Sequence, residues 1–476
     1  MLKKHIVEKL INNLQYTPTD SQKTLFDSLA DFIINWGTNE IFLITGYAGT
    51  GKTTTLKTLV NTLYSFKINS MLMAPTGRAA KVLNSYTHKP AYTIHKKIYR
   101  QKSAKDAFGD FALDRNLHKN TYFIVDEASM ISNQSFELSV FGSGRLLDDL
   151  IEYVYQGKGC KLILIGDTAQ LPPVKMDLSP ALDPKQLEGY GMDIKRAFLS
   201  DILRQSRESG ILYNATIIRK LIEEEGSDFP ELRVEEFPDI ERTVGSEMVE
   251  LISDSYDQYG IEETVIVTRS NKRANNFNQG IRNQILWREE ELTVGDFLMI
   301  VKNNYFWIDE EEKLDFIANG DIVEVVDIKG HQELYGYRFA DLTLRFVDYE
   351  DLEIDAKVLL DTLYTNQASL SREENRNLFN NVLEDYEDVK TKKARYRKVR
   401  ENPFFNALQV KFAYAVTCHK AQGGQWKAVF VDHGYITDEM INKEFYRWLY
   451  TAFTRATEKL YLVNFHKSFF PGEEKF

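Results

Sequence analysis

Residues 46–53, Gly-Tyr-Ala-Gly-Thr-Gly-Lys-Thr, fit the pattern GxxxxGK[ST] and lie between an apolar run, EIFLITG (40–46), and a helical pattern, TTTLKTLVNTLY (53–64). A loop of this kind wraps backbone N–H groups around a β-phosphate at a helix N-terminus, where the helix dipole favours negative charge. Gly46, Gly49, Thr50, Gly51, Lys52, Thr53 and Thr54 are therefore candidate nucleotide ligands, with Lys52 reaching the β- and γ-phosphates and the Thr53 hydroxyl facing Mg²⁺. Asp126-Glu127 closes a second apolar run, TYFIV, 74 residues after Lys52. An acidic residue at a strand end beside a phosphate loop can hold Mg²⁺, and a neighbouring carboxylate can orient the attacking water. Asp126 takes the first role and Glu127 the second. Gln170, in Gly-Asp-Thr-Ala-Gln (166–170), has the amide chemistry to sense a γ-phosphate, although the prolines at 172 and 173 fit a plain chain exit equally well. These groups give NTP hydrolysis without saying what work it drives.

Other blocks bear on that work. Pro75-Thr76-Gly77-Arg78 follows the run SMLMA, and Thr93 and His95 lie shortly after it. Small residues and hydroxyls at a strand-to-helix turn suit contacts to a phosphodiester strand. Far downstream, Thr417, His419 and Lys420 lie in VTCHKAQGG, and Arg455 lies in YTAFTRA. An arginine in a second core facing the phosphate loop would stabilise transition-state charge and couple hydrolysis to closure.

The elements that must position these groups are legible as a pattern. Four short apolar runs, at 40–46, 70–75, 121–127 and 160–167, alternate with helical stretches, as in a parallel sheet with crossover helices. Three of the four end in chemically loaded loops, and ligands in open α/β sheets bind outside the carboxyl ends of the strands. Runs at 263–270, 428–434 and 459–465 predict a second α/β core. Between them a β-rich stretch from about 293 to 360 predicts a small barrel, followed by one amphipathic helix within 370–400 whose apolar positions include Leu378, Val382 and Tyr386. Seven Lys/Arg without an acid at 390–400 fit either a solvated helix face or a phosphate contact. The irregular stretch 101–120 holds Phe108-Gly-Asp-Phe111, which reads as a hairpin tip with exposed aromatics or as an ordinary surface loop.

At 476 residues the chain is long enough for roughly three domains. Its 43% hydrophobic and 27% charged content is globular rather than disordered or collagenous. No run approaches a membrane span, and two isolated cysteines, Cys160 and Cys418, argue against a thiolate zinc site or a secreted disulfide framework, so an intracellular setting is expected. The net charge of −11 leaves a polyanionic partner open, because local charge decides binding.

Taken in order, TGYAGTGKTTT, APTGRAA, TIH, DEAS, GDTAQLPPV, LRQSRESG, TCHKAQGGQW and YTAFTRA resemble superfamily 1B DNA helicases of the Dda-like and RecD-like kind, over about residues 16–465. The resemblance implies an α/β fold of two RecA-like cores. These would be 1–200, with a pin hairpin at about 97–120, and 201–292 with 411–476, an SH3-like barrel with a helical extension occupying 293–410. It implies that Gln22 reads adenine, that Gln170 senses the γ-phosphate and that Arg204 and Arg455 reach across the cleft. Pro75, Thr76, Gly77, Arg78, Thr93, His95, Thr417, His419 and Lys420 would line the single strand, and Phe108 or Phe111 would split the duplex. The implied activity is ATP- and Mg²⁺-dependent 5′ to 3′ translocation of a monomer on single-stranded DNA and at single/double-strand junctions. The motifs alone leave open an RNA helicase, or a nucleotide-gated clamp or loader that does not unwind.

Overall fold

The protein is described by a computed structural model covering residues 1–35, 39–101, 111–134, 142–201, 208–226, 228–308, 317–349 and 352–471. In chain order the first half lays down β1 (Glu40–Gly46), β2 (Asn69–Ala74), β3 (Ala91–Thr93), the short hairpin strands β4 (Tyr99–Gln101) and β5 (Phe111–Leu113), then β6 (Thr121–Val125), β7 (Lys161–Gly166) and β8 (Asp193–Leu199). Six of these form one parallel sheet in the order β3-β2-β6-β7-β1-β8. Every residue of β6 and β7 is buried, as expected for strands covered on both faces, which read as unbroken apolar runs. The order matters for chemistry. β6, β7 and β1 are neighbours, so the loops leaving their carboxyl ends, which carry Asp126-Glu127, Gln170 and the phosphate loop, converge. β2 and β3 lie beside them and bring Thr76 and Thr93 to the same edge.

The second half adds β9 (Ile240–Thr243) and β10 (Thr264–Thr268), departs into β11 (Phe297–Ile300), β12 (Ile322–Leu334), β13 (Tyr337–Phe346), β14 (Glu353–Leu359) and β15 (Leu408–Phe412), and returns as β16 (Ala415–Thr417), β17 (Trp426–Asp432) and β18 (Ala456–Val463). A second parallel sheet runs β16-β10-β17-β18-β9, and β11 to β15 close into a five-stranded barrel in which β15 pairs with β11. The chain is thus two parallel-sheet α/β cores with a barrel inserted in the second. Barrel residues Leu298 and Val323 share one apolar cluster with Ile266, Phe430 and Tyr461 of the second sheet, so barrel and core are packed together rather than tethered.

Two expectations need correction. The stretch 370–400 is two helices, Arg372–Glu384 and Lys392–Arg400, because Ser371 caps the first in a reciprocal capping box and Thr391 starts the second by accepting from the Ala394 N–H. Both pack with Phe339 and Leu359 on the barrel. Phe111 is not an exposed tip: it is 5% exposed in β5, with its ring 4.7 Å from that of Tyr305. Phe108 and the rest of 102–110 lie outside the described residues. Among the described residues no helix is long and apolar enough to cross a membrane, and Cys160 and Cys418 are buried, free thiols.

Candidate active site and nucleic-acid groove

The phosphate loop takes its shape from glycines at positive φ, Gly49 at 75° and Gly51 at 86°, a region that side-chain-bearing residues avoid. Gly51 immediately precedes the helix Lys52–Ser65. Gly46 has a different reason to be glycine, since a Cβ there would lie 2.9 Å from the Leu199 Cβ and from the Thr50 Oγ1. Thr50 is fully buried and its hydroxyl donates to the Tyr47 carbonyl at 2.8 Å, bracing the turn from within. Lys52 donates to the Gly46 carbonyl at 2.7 Å and to Asp167 Oδ2 at 3.2 Å.

A cavity of about 310 Å³ opens over this loop, lined by Gly49, Gly51, Lys52, Thr53 and Thr54 together with Asp126, Glu127 and Gln170 of the first core and Arg455 of the second. Residues up to 409 positions apart, from Tyr47 to Ala456, thus meet around one space. Glu127 adopts a left-handed backbone at φ 52° and donates its N–H to Asp126 Oδ1 at 2.9 Å. Strain of this kind at a non-glycine residue persists where the surroundings enforce it, commonly in active sites. Burial, then the adjacent Glu127 carboxylate, pushes the Asp126 carboxyl above its ordinary range. A divalent cation would relieve that repulsion, and Thr53 supplies a neutral oxygen in the same cavity, so the donor set fits Mg²⁺. Among the described residues no group of three His, Cys, Asp or Glu could form a protein-only cage. Mg²⁺ at a nucleotide takes most of its ligands from phosphates and water, which agrees with one hydroxyl and one carboxylate.

Arg455 is 3% exposed, and its guanidinium is held by three bonds, from Nε to the Thr451 carbonyl at 3.0 Å, from Nη1 to the Gly424 carbonyl at 3.1 Å and from Nη2 to the Thr454 Oγ1 at 3.2 Å. A guanidinium has five N–H donors, so two remain for a ligand in the cavity. Gln170 is 5% exposed and its Oε1 lies 3.5 Å from the Ser129 hydroxyl. Gln22 does not line the cavity; its side-chain oxygen accepts the Thr19 N–H at 3.0 Å and completes the capping box of the helix Asp20–Ile34. Arg204 lies outside the described residues. Two residues that the sequence did not single out also line the cavity, Tyr47 and Tyr86. Tyr86 sits at the far end of the helix that begins at Gly77, and burial, then the charges of Asp126 and Glu127, raise its phenol pKa.

Of the strand-end residues expected to meet a nucleic acid, Gly77 and Thr93 line a second cavity between the first core and the barrel. Thr76 caps the helix Gly77–Thr87 and Thr93 caps the helix Ile94–Ile98. This second cavity, of about 180 Å³, is lined by Gly77, Lys81, Thr93 and Lys96 on one side and by Asp348 and Tyr349 of the barrel on the other. A Cβ on Gly77 would come within 2.7 Å of both Asp321 Oδ1 and the Tyr349 hydroxyl, so the helix start and the barrel touch there without a spacer. Lys81 donates to the Val347 carbonyl at 2.7 Å. Arg78 does not stand free in a groove: its guanidinium lies 4.1 Å over the Trp426 ring and donates to the Gln425 carbonyl at 3.1 Å, tying the first core to the second. Gly423, at φ 74°, approaches the same helix so closely that a Cβ would be 3.0 Å from that of Ala79.

His95 is half-buried, and burial pushes its pKa down to about 4, so it meets a ligand as a neutral imidazole and not as a cation. His419 is exposed, Thr417 half-buried, and Lys420 donates to Asn319 of the barrel, with burial pulling its pKa down to about 8. Pro75 is half-buried at the carboxyl end of β2.

The AAA domain family model matches residues 32–176, and the UvrD-like helicase C-terminal domain model matches 412–463. The chain is 24% identical to a protein of Methanocaldococcus jannaschii over 92% of its own length, spanning 38% of that protein. It is 30% identical to the ATP-dependent RecD2 DNA helicase of Deinococcus radiodurans over 34% of this chain and 20% of that one. It is 24% identical to the ATP-dependent DNA helicase dda of Enterobacteria phage T4, over 82% of this chain and 86% of that one.

Proposed function

We propose that the chain is a superfamily 1B helicase, an ATP-dependent DNA helicase that moves 5′ to 3′ on a single strand and separates the duplex ahead of it, a reading supported by its matches to the AAA domain and the UvrD-like helicase C-terminal domain. The observation that carries this reading is the cavity in which Lys52, Asp126, Glu127 and Gln170 of one core meet Arg455 of the other. An ATPase whose site is built from one core alone gains nothing from a second core's guanidinium. One split between two cores ties hydrolysis to their relative position.

The phosphate-loop N–H groups and Lys52 hold the β- and γ-phosphates, and Glu127 orients the attacking water in line with the bond that breaks. Thr53 and Asp126 would hold Mg²⁺, which would supply positive charge against that developing on the phosphates. Arg455 adds its two remaining N–H groups from the opposite wall. Nucleic-acid contacts then fall to Pro75, Thr76, Thr93, His95, Thr417, His419 and Lys420, which occupy strand ends of both cores. Their neutral hydroxyls and imidazole suit backbone contacts that ignore sequence. Closure of the cleft on ATP and its reopening after hydrolysis alternately tighten these two sets, and that alternation moves the strand.

The test is strand displacement with matched duplexes carrying a 5′ DNA tail, a 3′ DNA tail or a 5′ RNA tail. Release of the strand from the 5′ DNA tail alone, dependent on ATP and lost in Lys52→Ala, is the expected result. ATP hydrolysis without strand release would instead identify a clamp or loader, and release from the 3′ tail or the RNA would overturn polarity or substrate.

A further inference from the structure

Behind the cavity, the second core presents to the phosphate loop a hydroxyl that the motif chemistry does not use. Tyr450, on the helix Lys443–Phe453, is 1% exposed. Its oxygen accepts the N–H of Ala48, inside the phosphate loop, at 2.7 Å and donates to Asp167 Oδ2 at 2.7 Å. That same Oδ2 receives Lys52 at 3.2 Å, while Asp167 Oδ1 accepts the Ala169 N–H at 2.9 Å. The next residue, Thr451, accepts the Leu171 N–H at 2.8 Å, and Gln422 donates to the Leu171 carbonyl at 2.6 Å. Two consecutive side chains of one helix therefore grip the loop after β7, and one of them also touches the phosphate loop. A phenol has a single proton to give. Burial, then the charge of Asp167, raises the Tyr450 pKa well above its ordinary value, so that proton stays in place at any physiological pH.

We propose that the Tyr450 hydroxyl is a positioning group that couples occupancy of the phosphate loop to the placement of Arg455, which follows the same helix. The proposal rests on the ATPase reading above. Lys52 has two possible anionic partners, Asp167 and a phosphate oxygen. When Lys52 turns to phosphate, Asp167 Oδ2 loses one donor, and its bond from Tyr450 becomes the stronger, charge-assisted link to the second core. When Lys52 returns, that oxygen is shared again and the link weakens. A difference of this kind between two states is what allows one ligand to bias a conformational equilibrium. By linkage it runs in both directions: a nucleic acid that shifts the helix of Tyr450 alters how freely Lys52 leaves Asp167.

The experiment compares wild type, Tyr450→Phe, Asp167→Asn and the double variant. Phe keeps the buried ring and deletes only the hydroxyl. For each, one measures the thermal midpoint, kcat and KM for ATP at saturating single-stranded DNA, and DNA affinity with and without a non-hydrolysable ATP analogue and Mg²⁺. In wild type the analogue should change DNA affinity by roughly 5–150-fold. In Tyr450→Phe that factor should fall to within about twofold of unity, and kcat should drop about 10- to 100-fold with little change in KM, as misplacement of a transition-state group predicts. In that coupling factor the double variant should lose no more than Asp167→Asn alone, because the hydroxyl's link to Lys52 runs through Asp167. Wild-type coupling in Tyr450→Phe, or losses that add in the double variant, would overturn the proposal while leaving the ATPase reading intact. A wild-type chain that hydrolyses no ATP would sink both.

Discussion

Asp321 gives the most quantitative prediction, for Asp321→Asn. The residue is 1% exposed, its Oδ2 accepts the Ala318 N–H at 2.7 Å, and its Oδ1, facing Gly77 and the Tyr349 hydroxyl, has no partner among the described residues. Burial, helped by the nearby Asp348, raises its pKa from 3.8 to about 7. Lys81 lies 3.4 Å from Asp348. The folded pKa exceeds the unfolded one, so the stabilising contribution is complete below about pH 3.8 and disappears as pH rises through 7. Between pH 5 and 8 the linkage relation puts that loss at about 2–3 kcal/mol. Asparagine keeps the acceptor for Ala318, cannot ionise and presents an N–H₂ to the Tyr349 hydroxyl. Urea unfolding followed by tryptophan fluorescence at pH 5, 6.5 and 8 should therefore show the variant gaining on wild type by about 2–3 kcal/mol across the series. A wild-type-to-variant gap that stays constant with pH would refute the assignment of a protonated Asp321 beneath Gly77.

Arg455→Ala should lower kcat by about 10³–10⁵-fold while the affinity for an ATP analogue changes far less, because the group serves developing charge. Equal losses in binding and turnover would contradict its place opposite Lys52. Phe111→Ala should cost about 3–5 kcal/mol of stability, as expected for emptying a ring-sized space packed against Tyr305. An unchanged thermal melt would mean that the ring is not part of the core.

What was legible in the sequence was the chemistry carried on buried parallel strands. EIFLITG, TYFIV and KLILIG read as strands because covering both faces demands unbroken apolar residues, and their loaded loops follow directly. Edge elements were less visible. β8, Asp-Ile-Lys-Arg-Ala-Phe-Leu, mixes charge with apolar residues because only part of it is covered, and β3 and β16 are three residues long, too short for a pattern. The hairpin joining β12 to β13 turns at Tyr335-Gly336, within a stretch whose flanking charges look like a loop. Contacts between distant segments left no local trace. Phe111 meets Tyr305 across 194 positions, Arg78 meets Trp426 across 348, and Tyr450 resembles any other aromatic on the helix KEFYRWLYTAF. Its hydroxyl acquires meaning only once the phosphate loop lies opposite.

The pairing of β15 with β11 gives the inserted barrel a single stem, with arrival and departure side by side. Its outgoing arm passes through only residues 413 and 414 before becoming β16, whose end carries Thr417 and leads straight to His419 and Lys420. A load on the barrel therefore reaches the rest of the molecule through this stalk as well as through the apolar cluster shared with the second sheet and the contacts with the first core at Gly77 and Lys81. That stalk emerges among the residues assigned to grip the strand, so a tug on the appendage would be felt at the motor's own fingers rather than dissipated along a flexible strap.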